Sequence, residues 1–241
     1  NLTLDNVEIY NNIIEDDDTD GGATIHIRKN AKIINSTITN NDSDIGGGSI
    51  WIEHEDSYPF DFSEAIIVNS ILWNNTPDEV VLQGGGNNRV IISHSNVQEG
   101  QNGISNYNLN ENEIFWLEGN LNIDPSFIEP SNGNFNLQNN SSCIDSGTSS
   151  FAWGGETIIN LSPGDYNGLA PDMGANESDY SSECFTFGDI NNDNIINVLD
   201  VVTLINIILG SEETNTCGDI NSDGIYNVLD VVLLLNIILD N

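Results

Sequence analysis

The chain has 241 residues and a formal net charge of −34, from 38 acidic and only 4 basic side chains. Phosphate binding needs Lys and Arg to displace counterions, so nucleic acid is excluded as a partner, and an anionic membrane surface with it. Charge of this size opposes compaction, so bound cations are expected to neutralise part of it. Membrane insertion is excluded too, because the longest apolar stretches are broken by Asp or Asn.

From the N-terminus, four segments resemble one another: Leu2–Asn12, Ala31–Asn41, Ile66–Asn75 and Val90–Val97. Between them run short alternating stretches, Ala23–Arg28, Ser49–Glu53 and Glu79–Leu82. Alternation with β-branched residues predicts strands. Asn and Gly at the strand ends supply turns that need a positive φ. Strands that recur every 24 to 34 residues, with no helical pattern between them, predict a parallel β-helix in which successive coils stack. Asn6, Asn35 and Asn69 occupy one place in the repeat and are expected to form an asparagine ladder. His26, His54 and His94 are scattered and read as surface or turn residues.

Each Asn-Asn pair is followed by acidic residues: Glu15–Asp20, Asp42–Asp44, and Asp78 with Glu79. Stacked coils would bring these within about 4.8 Å per strand on one edge, where like charges repel unless a cation or solvent screens them. Asp16, Asp18 and Asp20 ahead of Gly21 copy the first half of a calcium loop, although the twelfth position is Ile27. They make a further, weaker candidate calcium site on the acidic edge.

Farther on, Asn69–Asn75, Asp124–Phe127, Ser142–Gly147 and Pro171–Glu177 resemble the last coils of bacterial secreted right-handed β-helix proteins. Those proteins read approximately D-P-x-F, S-P-C-I-D-x-G and D-x-G-A-x-E; here Ser142 replaces the proline and Asn176 the aromatic. The resemblance covers about residues 1–177 and implies a fold and an extracellular or cell-surface location, not an activity. The chain shows no signal peptide, as a mature form or fragment of a secreted protein would.

Near the C-terminus, Gly188–Val202 and Gly218–Val232 repeat each other thirty residues apart. Calcium takes six to eight hard oxygens, which a twelve-residue loop supplies from positions 1, 3, 5, 7, 9 and 12. In the first loop these are Asp189, Asn191, Asp193, the Ile195 carbonyl, Asn197 and Asp200. In the second they are Asp219, Asn221, Asp223, the Ile225 carbonyl, Asn227 and Asp230. Position six is Gly224 in one loop and Asn194 in the other, both tolerant of the left-handed conformation. The segments entering the loops are too short and too rich in Gly and Thr for the first helix of an EF-hand. Loop then helix, twice, with Asp at position twelve, resembles a dockerin.

That resemblance implies two Ca²⁺ ions and docking onto a cohesin-like partner. Many dockerins carry Ser-Thr at positions ten and eleven, whereas this chain has Val198-Leu199 and Val228-Leu229, which suggests apolar recognition. Of three cysteines, Cys184 and Cys217 lie just upstream of the loops and are the candidate disulfide, leaving Cys143.

The expected organisation is mainly β: a right-handed parallel β-helix over 1–177, a linker over 178–187, and a small α calcium-binding module of two loop-helix repeats over 188–241. The function expected first is an extracellular structural or adhesive protein that docks through the C-terminal module. Because residue 1 falls inside a repeat, head-to-tail docking of copies into a filament is part of that expectation. The alternatives are a polysaccharide-binding module, with Trp51, Trp73, Trp116 and Trp153 as a candidate platform, and a polysaccharide lyase or hydrolase. The enzyme reading ranks last. Elimination on a uronic acid needs cations, and only Arg28, Lys29, Lys32 and Arg89 exist, while hydrolysis needs a defined carboxylate pair that nothing singles out.

Overall fold

The computed structural model describes residues 2–15, 22–43, 48–54, 62–83, 87–109, 111–178, 188–190, 195–210, 216–221 and 225–240. The chain forms two compact units, 1–181 and 182–241, dividing inside the stretch read as a linker.

The first unit is mainly β. One sheet orders the strands Leu2–Asp5, Asn30–Ile34, Ser63–Val68, Asn88–Ser93 and Glu113–Trp116, all parallel. A second holds Glu8–Tyr10, Thr37–Thr39, Ile71–Trp73 and Asn96–Val97. A third holds Ile25–Ile27, Ile50–Ile52, Val80–Leu82 and Ile104–Asn106. Equivalent residues pair across each sheet, as in Ile25↔Ile50 and Val80↔Ile50 in the third. A one-residue slip would turn every inward isoleucine outward, so the buried face fixes the register. Ile25, Ile27, Ile50, Ile52, Val80 and Leu82 all enter one buried cluster, with Ile33, Ile67 and Ile92 from the first sheet and Ile38 and Leu72 from the second. Each such side chain contributes about 1.5–3 kcal/mol by leaving water.

The Asn-Asn pairs have two different jobs. Asn11, Asn40 and Asn74 adopt φ of 55°, 56° and 58°, the left-handed corner that ends the first three strands of the second sheet. The following residues, Asn12, Asn41 and Asn75, form a ladder. Asn12 Nδ2 donates to Asn41 Oδ1 at 2.8 Å and Asn41 Nδ2 to Asn75 Oδ1 at 2.9 Å. The expected ladder of Asn6, Asn35 and Asn69 is only partly present. Asn69 donates to Asn35 Oδ1 at 3.1 Å, but Asn35 donates to Asp5 rather than Asn6. All three have positive φ and serve mainly as corners, a place His94 takes on the next rung. A serine ladder lies alongside: the amide of Ser36 donates to Ser70 Oγ at 3.2 Å, and that of Ser70 to Ser95 Oγ at 3.1 Å.

Among the described residues the last parallel pairing of the first unit is the Asn96–Leu121 bridge. Beyond it, two antiparallel hairpins, Phe127–Glu129 with Asn134–Leu137 and Ser150–Trp153 with Glu156–Asn160, cover the outer faces of the sheets. Those faces are apolar and need cover. Phe127, Phe135 and Leu137 pack with Ile71 of the second sheet. Ile159, Phe151 and Trp153 pack with Ile34, Ile66, Val68 and Ile91 of the first. The motif resembling terminal coils closes this layer through carboxylates. Asp145 Oδ1 accepts the amide of Leu169 at 2.9 Å, and Asp172 accepts those of Asp145 and Ser178 at 2.9 and 2.8 Å.

The second unit contains two helices, α1 (Val198–Ile208) and α2 (Val228–Asp240), each following one of the repeated loops. A short 3-10 turn, Thr216–Gly218, precedes the second loop. Val201, Leu204 and Ile207 of α1 meet Leu234 of α2 in a core with Ile190 and Cys217.

Candidate metal centre and docking faces

Between residues 182 and 241 the sequence has ten acidic side chains and no Lys, Arg or His. Among the described residues three of those carboxylates are nevertheless buried, with Asp189 at 3 % exposure and Asp200 and Asp230 at 0 %. Carboxylates removed from water cost several kcal/mol unless paired, and this unit contains no side-chain cation that could pair with them. The donor set is carboxylate, amide and backbone carbonyl oxygen, the hard-oxygen chemistry suited to calcium.

The two loops close alike where each helix begins. Asn197 caps α1: its Oδ1 accepts the Leu199 amide at 2.8 Å, while Asp200 Oδ2 accepts the Asn197 amide at 2.8 Å, a reciprocal capping box. Asp200 Oδ1 reaches back to the Ile190 amide, at 2.8 Å. In the second loop Asn227 Oδ1 accepts the Leu229 amide at 2.8 Å, and Asp230 Oδ2 accepts the Asn227 amide at 3.0 Å. Asp230 Oδ1 takes the Asn221 amide at 3.4 Å. The position-nine amides, Asn197 and Asn227, donate to the Ile195 and Ile225 carbonyls, each at 3.0 Å. The position-twelve aspartate thus fixes both the loop entrance and the first turn of its helix. Tyr226 shows where the second loop's charge gathers: burial first, then the Asp219 and Asp230 carboxylates, push its phenol above the ordinary value.

Among the described residues no three His, Cys, Asp or Glu side chains form a metal cluster. Asn191, Asp193 and Asp223, which the ligand pattern requires, lie outside the described residues, as do Asp16, Asp18 and Asp20. Cys217 is disulfide-bonded and Cys143 is free and buried; Cys184 lies outside the described residues.

Both helices leave an apolar strip in solvent at matching positions. Val198, Leu199, Val202 and Ile205 on α1 and Leu209 at its C-terminal cap are exposed, as are Val228, Leu229, Val232, Leu235 and Leu239 on α2. Val198 and Val228 are 63 % and 72 % exposed, far above what side chains closed inside a module would show.

Elsewhere, four residues depart from their sequence reading. Glu79 belongs to no solvated acidic edge. It is buried at the end of the asparagine ladder, where its Oε1 accepts the Asn75 amide at 3.2 Å and its Oε2 the Asn75 Nδ2 at 2.5 Å. Burial pushes its carboxyl up to about 7, against the Asn75 hydrogen bonds, with Asp78 and Glu99 adding to the rise. His54 is buried rather than superficial. Trp51 is buried at 6 % exposure and Trp153 packs on Phe115 with ring centroids 4.9 Å apart, so they build no common platform with Trp73.

The family model for the dockerin type I domain matches residues 187–239, spanning both loops and both helices, and this segment is a C-terminal dockerin domain. Dockerin type I domains bind calcium and dock onto cohesin domains. No curated protein and no solved structure matches the chain. Among the described residues no helix is long and apolar enough to cross a membrane.

Proposed function

We propose that this is an extracellular structural or adhesive protein whose dockerin domain, loaded with two Ca²⁺ ions, docks onto a cohesin-like domain and so attaches a β-helix to a larger assembly. The observation that carries the reading is the doubled loop. Two buried position-twelve aspartates sit in a unit without side-chain cations, and each is hydrogen-bonded to the start of a helix. Asp189, Asn191, Asp193, Ile195, Asn197 and Asp200 would hold one ion, and Asp219, Asn221, Asp223, Ile225, Asn227 and Asp230 the other. Calcium, when bound, supplies the positive charge that these acids lack.

The chain's own residues turn that binding into a docking surface. Asp200 and Asp230 stand at the third helical position, and the residues immediately before them, Val198-Leu199 and Val228-Leu229, begin the exposed apolar strips. Ordering a loop therefore orders the first turn that presents its apolar pair. Cys217 and Cys184, the remaining cysteine, would tie the entrances of the two loops together. Three parallel sheets with in-register partners support a right-handed β-helix for residues 2–121, since parallel crossovers are right-handed almost without exception.

The test is surface plasmon resonance of the full chain against a panel of immobilised cohesin domains, in calcium and in EDTA. At least one cohesin should bind in calcium only. Changing Leu199 and Leu229 together to Asp should weaken that binding by at least about tenfold, given 1.5–3 kcal/mol per buried leucine. Binding that survives both EDTA and the double change would overturn the reading. So would binding to no cohesin together with calcium-dependent self-association, which would favour docking between copies.

A further inference from the structure

The first unit holds a cleft of about 350 Å³ between the second sheet and the Phe127–Leu137 hairpin. One wall is the end of two neighbouring strands, with Asn40, Trp73 and Asn74; the other carries Asp124, Ser126 and Gln138. The walls are firmly built. Thr39 Oγ1 donates to the Trp73 carbonyl at 2.7 Å, and the amide of Asn74 donates to Gln98 Oε1 at 2.5 Å. Opposite, Ser126 stands at φ 54°, held by its amide on Asp124 Oδ1 at 2.9 Å and by Gln138, whose amide donates to the Ser126 carbonyl at 2.9 Å. A serine in the left-handed region is strained, and such strain clusters at ligand sites.

Several polar groups of this cleft face solvent rather than the protein. Asn74 Nδ2 donates to Asn40 Oδ1 at 2.6 Å, which leaves Asn40 Nδ2 as a donor and Asn74 Oδ1 as an acceptor, neither with a protein partner among the described residues. The Trp73 indole N–H and the second carboxylate oxygen of Asp124 likewise have no protein partner among them, and Asn74 and Asp124 are exposed, so these groups are open to a ligand in place of water. Trp73 is half-buried and packs against the Ile71–Phe127–Leu137 cluster, so its ring is fixed in place. We infer that this cleft binds one or two units of a neutral oligosaccharide. A sugar ring combines an apolar C–H face, which suits an indole, with a rim of hydroxyls that both donate and accept. The unpartnered atoms here are likewise a mixture of donors and acceptors beside an aromatic ring. Asp124 is the one ionisable group among the described lining residues, and the whole chain stands at −34, so a polyuronate would be repelled. The inference is independent of the docking reading, since it uses residues of the first unit only.

The experiment is isothermal titration calorimetry of the full chain, in excess calcium, with cellohexaose, xylohexaose, mannohexaose and, as the charged comparison, hexagalacturonate. The expected result is saturable binding of at least one neutral hexasaccharide and none of the uronate. Trp73→Ala should abolish it. Asn74→Gly, which keeps the left-handed corner without strain and removes only the amide, should weaken it roughly 3- to 10-fold. Should Trp73→Ala fail to fold, Asn74→Gly still decides. Asn11→Gly, the equivalent corner outside the cleft, should leave binding unchanged. The inference is overturned if no neutral hexasaccharide binds at millimolar concentration, if only the uronate binds, or if Asn74→Gly and Asn11→Gly bind like the unmodified protein.

Discussion

Raising the pH should destabilise the β unit through Glu79. This carboxyl is buried at the end of the asparagine ladder, and burial raises it from an ordinary value of 4.5 to about 7. The folded state therefore keeps a proton that the unfolded chain releases across that interval. A state that binds more protons loses relative stability as pH rises. The stabilising contribution is complete below about pH 4.5 and is lost by about pH 7. A displacement of this size corresponds to about 3 kcal/mol, or about 6–12 °C in melting temperature for a unit of this size. Glu79→Gln mimics the protonated acid, with one full acceptor oxygen for the two Asn75 donors, and should remove the dependence. The assay is differential scanning calorimetry of both proteins from pH 4 to 8 in calcium, following the transition of the first unit. Asp172 and Glu177, also raised by burial, act in the same direction in both proteins and cancel in the difference. The difference between the two melting curves should fall by one proton's worth across pH 4.5–7. A flat difference, or one that rises with pH, would refute the assignment of a proton to Glu79.

Other outcomes follow from the same contacts. Asn41→Ala deprives the Asn12 amide and side chain of their acceptor and the Ile9 carbonyl of a donor. It should cost about 3 kcal/mol or more, whereas Asn12→Ala, at the exposed end of the ladder, should cost about 1 kcal/mol or less; urea unfolding of the two variants measures the contrast. Ile67→Ala, at a position with no exposure in the central cluster, should cost 2–5 kcal/mol by the same assay. Cys143 is buried with its thiol pushed up to about 11, by burial first. It should react with iodoacetamide only after denaturation, as peptide mass mapping would show.

Much of the repeat was legible because each rung repeats the same local problem. A corner requires positive φ, and Asn answers it at Asn11, Asn40 and Asn74. Which asparagine would turn inward was less legible. Asn35 and Asn41 are the same residue type six places apart, and only the packed rung decides that Asn41 bonds both neighbours while Asn35 bonds one. Glu79 reads as an acid among acids, because nothing local marks it as the one beneath Asn75. The strands Ile104–Asn106 and Glu113–Trp116 were missed, since their alternation is short and their hydrogen bonds lie entirely with earlier rungs. The two hairpins beyond Leu121 escaped for a related reason: their partners are the outer faces of sheets formed by residues far earlier in the chain. In the C-terminal unit the ligand spacing and the helices were readable from the duplication itself. The second role of Asp200 and Asp230, as helix caps, was also written there as Asn-x-x-Asp, a carboxylate three residues after a capping side chain.

The most direct test is to count calcium ions by native mass spectrometry of the full chain, beside Asp193→Ala and Asp223→Ala, which change one proposed ligand per loop and leave the helix-capping residues in place. The account predicts that each single change lowers the number of tightly bound ions by one and that the double change lowers it by two. A count that neither substitution alters would contradict it.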